Sequence, residues 1–274
     1  MTSPRSETPT ERPVGVFDSG VGGLTVLRAL IEELPHEDFL YLGDTARLPY
    51  GTKSAETVAR YSVRAAEALV ERDIKALVVA CNTASATALP SLRERFPQLP
   101  VIGVIEPGAR AAVEASVSGR IAVLATEGTV RGGAYQRAIE ALRPDAVVTQ
   151  IACQVFVALA EEGWSEGAAV DATAERYLAH LDARVDTVVL GCTHFPLLAP
   201  AIARQLGTGR RIVDSAATTA RAAQRTLATR QLLRMARGGQ VTLLATDSPE
   251  RFARVGQRFL GGSIAARSVE AVDL

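Results

Sequence analysis

Two of the three cysteines in this 274-residue chain sit in near-twin settings. Cys81 closes the apolar run Ala76-Leu-Val-Val-Ala-Cys-Asn-Thr83, and Cys192 closes Val188-Val-Leu-Gly-Cys-Thr-His194. Each run is short, β-branched and bounded, the pattern of a buried strand. Each leads into polar residues and then a helix-compatible stretch, which predicts both thiols at strand C-terminal ends beside helix N-termini. Open α/β sheets bind ligands at that end, and a helix N-terminus lowers a thiol's pKa, so that it can ionise near neutral pH. A single buried cysteine is ordinarily a small hydrophobe. Two in matching settings, followed by Asn82-Thr83 and Thr193-His194, point instead to a site worked from two sides. Cys153 precedes an apolar helix face and reads as core.

The other polar motifs are weaker alone. Asp18-Ser-Gly-Val-Gly-Gly23 resembles a phosphate loop, but a carboxylate at its head would repel a pyrophosphate. Asp18 suits a ligand ammonium group better, the plainer alternative being a helix N-cap. The segment from Tyr41 to Ser54 is a long polar loop holding Asp44, Tyr50 and Lys53, and loops of this length are more often functional than idle. His194, two residues from Cys192, is placed to tune that thiol or relay its proton. His36 and His180 read as solvated, and Glu161 with Glu162 as an acidic helix end of the kind usually found at a surface. Neither CxxC nor HExxH occurs, so no metal is expected.

These residues need elements to hold them. Short apolar strands alternate with helices, which implies parallel sheets covered on both faces. Strands are predicted at 13–18, 38–42, 76–81, 100–105, 120–125, 145–149, 186–191, 210–214 and 240–245. Helices are predicted at 22–34, 53–72, 83–95, 107–116, 130–142, 154–162, 166–182, 196–205, 216–237 and 248–260. The features repeat. Val14-Gly-Val-Phe-Asp-Ser-Gly20 is echoed by Ile121-Ala-Val-Leu-Ala-Thr-Glu-Gly128, so that Thr126 stands 108 positions after Asp18. Cys192 follows Cys81 by 111, and Ile102-Gly-Val-Ile-Glu106 is matched by Arg211-Ile-Val-Asp-Ser215. Ordered features at a nearly constant offset imply an internal duplication. The expected α/β architecture is two similar lobes, mainly parallel and related by pseudo-symmetry, with a cleft between them and one cysteine from each. Residues 13–107 and 216–274 form the first lobe and 108–215 the second, the tail returning to the first. Residues 1–12, rich in Thr, Ser, Pro and Glu, read as a disordered extension.

Charged residues balance to a formal net of zero, which leaves no electrostatic footprint for nucleic acid or an anionic membrane. No apolar stretch reaches the roughly 20 residues that span a bilayer. Three cysteines are no disulfide framework, so a reducing, cytoplasmic setting is expected. Lys53 and Lys75 are the only lysines, which disfavours a pyridoxal enzyme, since that cofactor is held by a lysine.

Taken in order, the motifs resemble those of glutamate racemase over nearly the whole chain after the first dozen residues. They are Asp18-Ser-Gly-Val-Gly-Gly-Leu24, Gly43-Asp-Thr45 with Pro49-Tyr-Gly-Thr-Lys-Ser54, Ala80-Cys-Asn-Thr-Ala-Ser85, Gly103-Val-Ile-Glu-Pro107, Thr126-Glu-Gly-Thr129, Gly191-Cys-Thr-His194 and Val213-Asp-Ser-Ala216. The resemblance implies two α/β lobes with the site between them and interconversion of L- and D-glutamate without a cofactor. It also implies a homodimer in a bacterial cytoplasm, feeding peptidoglycan synthesis. Carried over by resemblance, Cys81 and Cys192 are the acid/base pair, assisted by Asp18, Glu161 and His194. Substrate contacts fall on Asp18, Ser19, Tyr50, Gly51, Asn82, Thr83, Thr126, Thr129, Thr193 and His194. The chain departs from the family pattern at Gln154, usually Pro, at Gly132, usually Ser, and at Phe195, usually Tyr.

The chemistry accounts for the residue types. The α-hydrogen of a glutamate zwitterion is barely acidic, and inversion requires protonation from the opposite face. Two thiols across Cα meet both needs if one ionises below the ordinary value of roughly 8.5. The helix N-termini and a protonated His194 are expected to supply that bias. Two rivals remain. A related aspartate racemase typically carries an acid where His194 stands, and a non-catalytic amino-acid-binding regulator would have no reason to keep both thiols.

Overall fold

The computed structural model describes residues 8–274. Its strands are β1 (Val14–Asp18), β2 (Phe39–Gly43), β3 (Ala76–Val79), β4 (Val101–Gly103), β5 (Arg120–Ala125), β6 (Val147–Ala152), β7 (Thr187–Gly191), β8 (Arg211–Asp214), β9 (Val241–Ala245) and β10 (Val269–Ala271). The helices are α1 (Leu24–Glu33), α2 (Ala55–Val70), α3 (Asn82–Arg95), α4 (Ile105–Ala115), α5 (Glu127–Gly132), α6 (Ala134–Leu142), α7 (Gln154–Glu162), α8 (Ala168–Leu178), α9 (Ala199–Leu206), α10 (Ser215–Thr229) and α11 (Pro249–Leu260). None is long and apolar enough to cross a membrane.

The strands form a six-stranded sheet, β10-β9-β2-β1-β3-β4, and a four-stranded sheet, β6-β5-β7-β8. Every pairing is parallel. The order β2-β1-β3-β4 in one sheet is the order β6-β5-β7-β8 in the other, the topological form of the repeat seen in the sequence. Strand ends therefore correspond: Asp18 with Ala125–Thr126, and Cys81 with Cys192. β9 and β10 extend the first sheet only.

Both faces of the central strands are buried, as parallel sheets require. Along β1, Val14 and Val16 enter one apolar cluster and Phe17 the opposite one. Along β5, Ile121 and Val123 turn one way, Ala122 and Leu124 the other. The inner faces of the two sheets feed one continuous core in which Val16 and Val78 share a cluster with Val123 and Val189, through Leu24, Ala109 and Ala220 of the helices between. That shared core fixes the lobes against each other with their C-terminal strand ends converging.

Four departures from the sequence expectation have local causes. The extension predicted for residues 1–12 lies outside the described residues at 1–7, but residues 8–12 are structured. Pro9–Glu11 form a 3-10 turn, and Lys75 Nζ donates to the Thr10 carbonyl at 2.6 Å while pairing with the buried carboxylate of Glu37. The helix predicted over 216–237 ends at Thr229, because Gln231 turns left-handed (φ 56°) and Arg234 is held by Glu11 at 2.9 Å and Asp38 at 2.7 Å. The helix predicted over 130–142 is cut by Gly133 at φ +60°, a conformation other residues rarely adopt. β10 was not anticipated; three residues at a sheet edge carry too little pattern to read.

Leu124 is fully buried in the outer core of the second sheet. Leu124→Ala is expected to cost about 2–5 kcal/mol, read as a lower denaturant midpoint with the far-ultraviolet spectrum of the folded state unchanged.

Candidate active site

The facing strand ends bring most of the nominated residues together. Asp18 ends β1, Cys81 caps α3 just beyond β3, Thr126 follows β5, and Cys192 follows β7. Both thiols are buried, at 5% exposure each. The lobes interlock around them. Thr25 Oγ1 donates across to the Thr193 carbonyl at 3.0 Å. A Cβ built on Gly22 would lie 2.5 Å from His194 Nδ1, and one on Gly51 would lie 2.9 Å from Thr126 Cβ. Only glycine backbone fits at those two crossings.

The first-lobe side is negative. Asp18 Oδ2 accepts from the Gly20 amide at 3.0 Å and lies 3.5 Å from Tyr41 Oη, while Oδ1 is buried without a partner. Burial raises the Asp18 pKa, and amides of Gly23, Gly20 and Ser19 together with His194 oppose that rise. Cys81 Sγ lies 3.5 Å from Ser19 Oγ and accepts from the Ala84 amide at 3.4 Å. The expectation of a lowered pKa here does not hold. Burial pushes the Cys81 thiol up to about 12, the Asp18 charge adds to this, and the hydrogen bonds with Ser19 and the Ala84 amide do not compensate. Loss of hydration outweighs one helix terminus.

The second-lobe side is a chain of polar contacts that runs from Cys192 to Arg251. His194 Nδ1 lies 3.8 Å from Cys192 Sγ, and His194 Nε2 lies 3.2 Å from Glu161 Oε1. Arg251 of α11 donates to Glu161 Oε2 at 3.0 Å. Burial alone would lower the His194 pKa, but Cys192 and Glu161 outweigh it and raise the imidazole to about 10. Glu161 is held below its ordinary value: burial works against this, and His194 and Arg251 prevail. The helix predicted over 196–205 starts only at Ala199, after a 3-10 turn over Phe195–Leu198, so that no α-helix N-terminus follows Cys192 directly and His194 is the cation beside this thiol. The helix-end acid that the sequence would place at a surface turns inward.

The remaining polar groups suit carboxylates. Thr83, Thr126 and Thr129 form a ring of hydroxyls across the lobes at 2.9, 3.1 and 3.0 Å. Tyr135 Oη donates to Asn82 Oδ1 at 2.8 Å, which leaves the buried Asn82 Nδ2 as an unpartnered donor. Tyr50 is differently placed. Its ring packs against Phe17 and Tyr61, its hydroxyl donates to Asp44 at 2.6 Å, and it is the neighbouring Gly51 backbone that lies against the second lobe's Thr126. Cys153 is buried in the core behind the site. Among the described residues no group of three or more His, Cys, Asp or Glu side chains could hold a metal.

The profile of the Asp/Glu/Hydantoin racemase family matches residues 14–223. Glutamate racemase of Geobacter metallireducens is 52% identical over 255 residues, covering 92% of this chain and 94% of the relative. The chain belongs to the glutamate racemase family. Among solved structures, the glutamate racemase isoform RacE1 of Bacillus anthracis superposes with a TM-score of 0.92 at 38% identity, over 97% of this chain and 98% of that one. The glutamate racemase of Francisella tularensis, solved in complex with D-glutamate, superposes with a TM-score of 0.90 at 34% identity, over 96% and 98%. Within this family fold, sequence reasoning missed Tyr135, Arg251 and Phe259, which stand outside the polar motifs, on α6 and α11, and reach the site only through tertiary packing. Tyr41, which opens the polar segment singled out in the sequence, lies in β2 beside Asp18.

Gly22→Ala would drive a methyl into the His194 ring. A misplacement of this size is expected to lower turnover by about 10²-fold, measured in steady-state assays beside a melting curve showing both lobes still folded.

Proposed function

We propose that the chain interconverts L- and D-glutamate without a cofactor, by proton transfer at Cα between Cys81 and Cys192. The observation that carries this reading is the unlike pair of thiols, one beside Asp18 and the other on the His194–Glu161 chain, in a member of the glutamate racemase family. A relative at 34% identity has been solved with D-glutamate, which supports the substrate.

In this reading the His194 imidazolium stabilises the Cys192 thiolate beside it. The substrate's α-ammonium group lies toward Asp18, where the unpartnered Oδ1 accepts from it. Asn82 Nδ2, Thr193 and the threonine ring hold the carboxylates, stabilising charge as it develops. The Cys192 thiolate removes the α-proton, the Cα–H electron pair remains on the carbon, and the Cys81 thiol protonates the opposite face. The product leaves with Cys81 as thiolate and Cys192 as thiol, the arrangement that begins the reverse reaction. The high Cys81 pKa suits a resting proton donor. It also makes Cys81 a strong base once ionised, with the substrate's ammonium group supplying the opposing charge.

The same reading takes residues 13–107 and 216–274 as one lobe and 108–215 as the other, supported by the sheet to which each strand belongs. It includes a homodimer in the cytoplasm, supported by the family resemblance, with sedimentation as its test.

Circular dichroism of L-glutamate in D₂O with a thiol reductant, and no added cofactor, tests the activity. Signal loss with deuterium at Cα is expected. Loss with aspartate but not glutamate would overturn the specificity, and no change with any amino acid would overturn the reading. Cys81→Ser and Cys192→Ser are each expected to reduce racemisation by about 10²- to 10⁴-fold or more with the folded spectrum intact. A single variant at the wild-type rate would rule out the two-thiol assignment.

A further inference from the structure

Helix α11 lies beyond residues 14–223, the span matched by the family profile, yet three of its side chains meet the His194–Glu161 pair. Arg251 donates to Glu161 Oε2 at 3.0 Å, Arg258 donates to the Glu161 carbonyl at 2.7 Å, and the Phe259 ring packs edge-on against the His194 ring, 5.1 Å between centroids. Positions 251 and 258 are seven residues apart, two helical turns, and so share a face. The helix is seated on the first lobe, where Phe252 packs against Tyr41, 6.0 Å between ring centroids, and Gly256 lies against Leu24. It therefore carries first-lobe residues to an acid that belongs to the second.

Glu161 needs such help. It sits in the last turn of α7, where the negative end of the helix dipole and unpaired carbonyls disfavour a carboxylate. The residue after α7, Gly163, turns left-handed at φ +80° and ends the helix directly under Arg258. A glutamate here has three torsions and no intrinsic reason to face inward. Its two carboxylate oxygens are divided, Oε1 to His194 and Oε2 to Arg251, and that division sets the plane in which the acid meets the imidazole. The departure from the family pattern at Gln154 falls in this same helix, so the aim of Glu161 depends on what grips its far end.

We propose that Arg251 is a positioning residue of the racemase: it holds the Glu161 carboxylate on His194 and thereby keeps the imidazole oriented toward Cys192. This deepens the racemase reading and rests on it. Arg251 touches no reacting atom, and its side chain is 41% exposed, so as an isolated surface ion pair it would contribute little to stability. Its contribution is to geometry.

The two ways in which Arg251 could act on His194 have opposite signs. As a nearby positive charge it disfavours the imidazolium, and its removal would raise the His194 pKa. As the holder of Glu161 it favours the imidazolium, and its removal would lower that pKa. The groups facing His194 are Cys192 after β7, Glu161 of α7, Asp18 at the end of β1 and the uncharged Phe259 ring, with Arg251 reaching it through Glu161. Positioning therefore predicts that loss of Arg251 moves the alkaline limb of the rate profile to lower pH.

The test uses the full chain as wild type, Arg251→Leu, Arg251→Lys, Glu161→Gln and the double variant Glu161→Gln with Arg251→Leu. For each, kcat and KM are measured with both enantiomers across neutral to alkaline pH, beside thermal melts. Arg251→Leu is expected to lose about 10- to 100-fold in kcat with a smaller change in KM and to shift its alkaline limb downward. Arg251→Lys is expected to recover most of the rate, and the double variant to be no slower than Glu161→Gln, the non-additivity of residues that act through one another. Additive losses, a purely KM effect, an upward shift of the limb, or wild-type kinetics in Arg251→Leu would each overturn the proposal. Failure of the wild-type chain to racemise glutamate would overturn the racemase reading beneath it, a result separable from the others because it precedes any substitution.

Discussion

Burial disfavours a charged thiol by more than a helix terminus restores, and Cys81 demonstrates it with a pKa near 12 despite capping α3. A buried thiolate requires a cation at contact distance. That cation, itself losing hydration, requires an anion behind it. In the proposed mechanism the series Cys192, His194, Glu161, Arg251 answers this requirement one group at a time until it reaches solvent at a half-exposed guanidinium. Much of the site's architecture follows. α7 must end where its last turn faces the cleft, α11 must return from the tail to hold it, and the second lobe must lie close enough to the first for one helix to span both.

The duplication explains why the site has two thiols, and its imperfection explains why they differ. Matching strand orders place a cysteine at the same point of each sheet. The first is followed by a regular helix and lies beside Asp18; the second is followed by His194 and a 3-10 turn. A symmetric pair of thiols would have no preferred resting arrangement of one proton. In the proposed reaction the carboxylate on one side and the imidazole on the other divide the roles of the two thiols, and the proton transfer begins from that asymmetry.

Glycine carries the closeness of the lobes. Gly22 and Gly51 are the crossings at which backbone lies against the other lobe's Thr193, His194 and Thr126, and the hydroxyl ring of Thr83, Thr126 and Thr129 joins the lobes beside them. Tyr135, from the second lobe, decides which end of the Asn82 amide faces the cleft. The polar contacts of the site are thus largely contacts between lobes, and packing errors in the shared core would be felt as errors of chemistry.

The sequence by itself determined the strands β1 to β9, the parallel α/β class, the duplication and the cysteine pair with its polar neighbours. Those features are local or periodic: β-branched runs bury themselves on both faces, and a repeat at constant offset needs no coordinates. It also carried Asp18, Asn82, Thr126 and His194, because each lies within a few residues of a strand end and the fold class says where strand ends go. Tertiary structure alone decided the rest. Whether Glu161 faces solvent or His194 depends on a helix ninety residues later in the chain; that Tyr50 points into the core and Tyr135 toward the site depends on which helix packs against which sheet. The sign of the Cys81 shift depends on how much water the closed cleft excludes. Desolvation and long-range ion pairing are properties of surfaces brought together, and no window of sequence contains both surfaces.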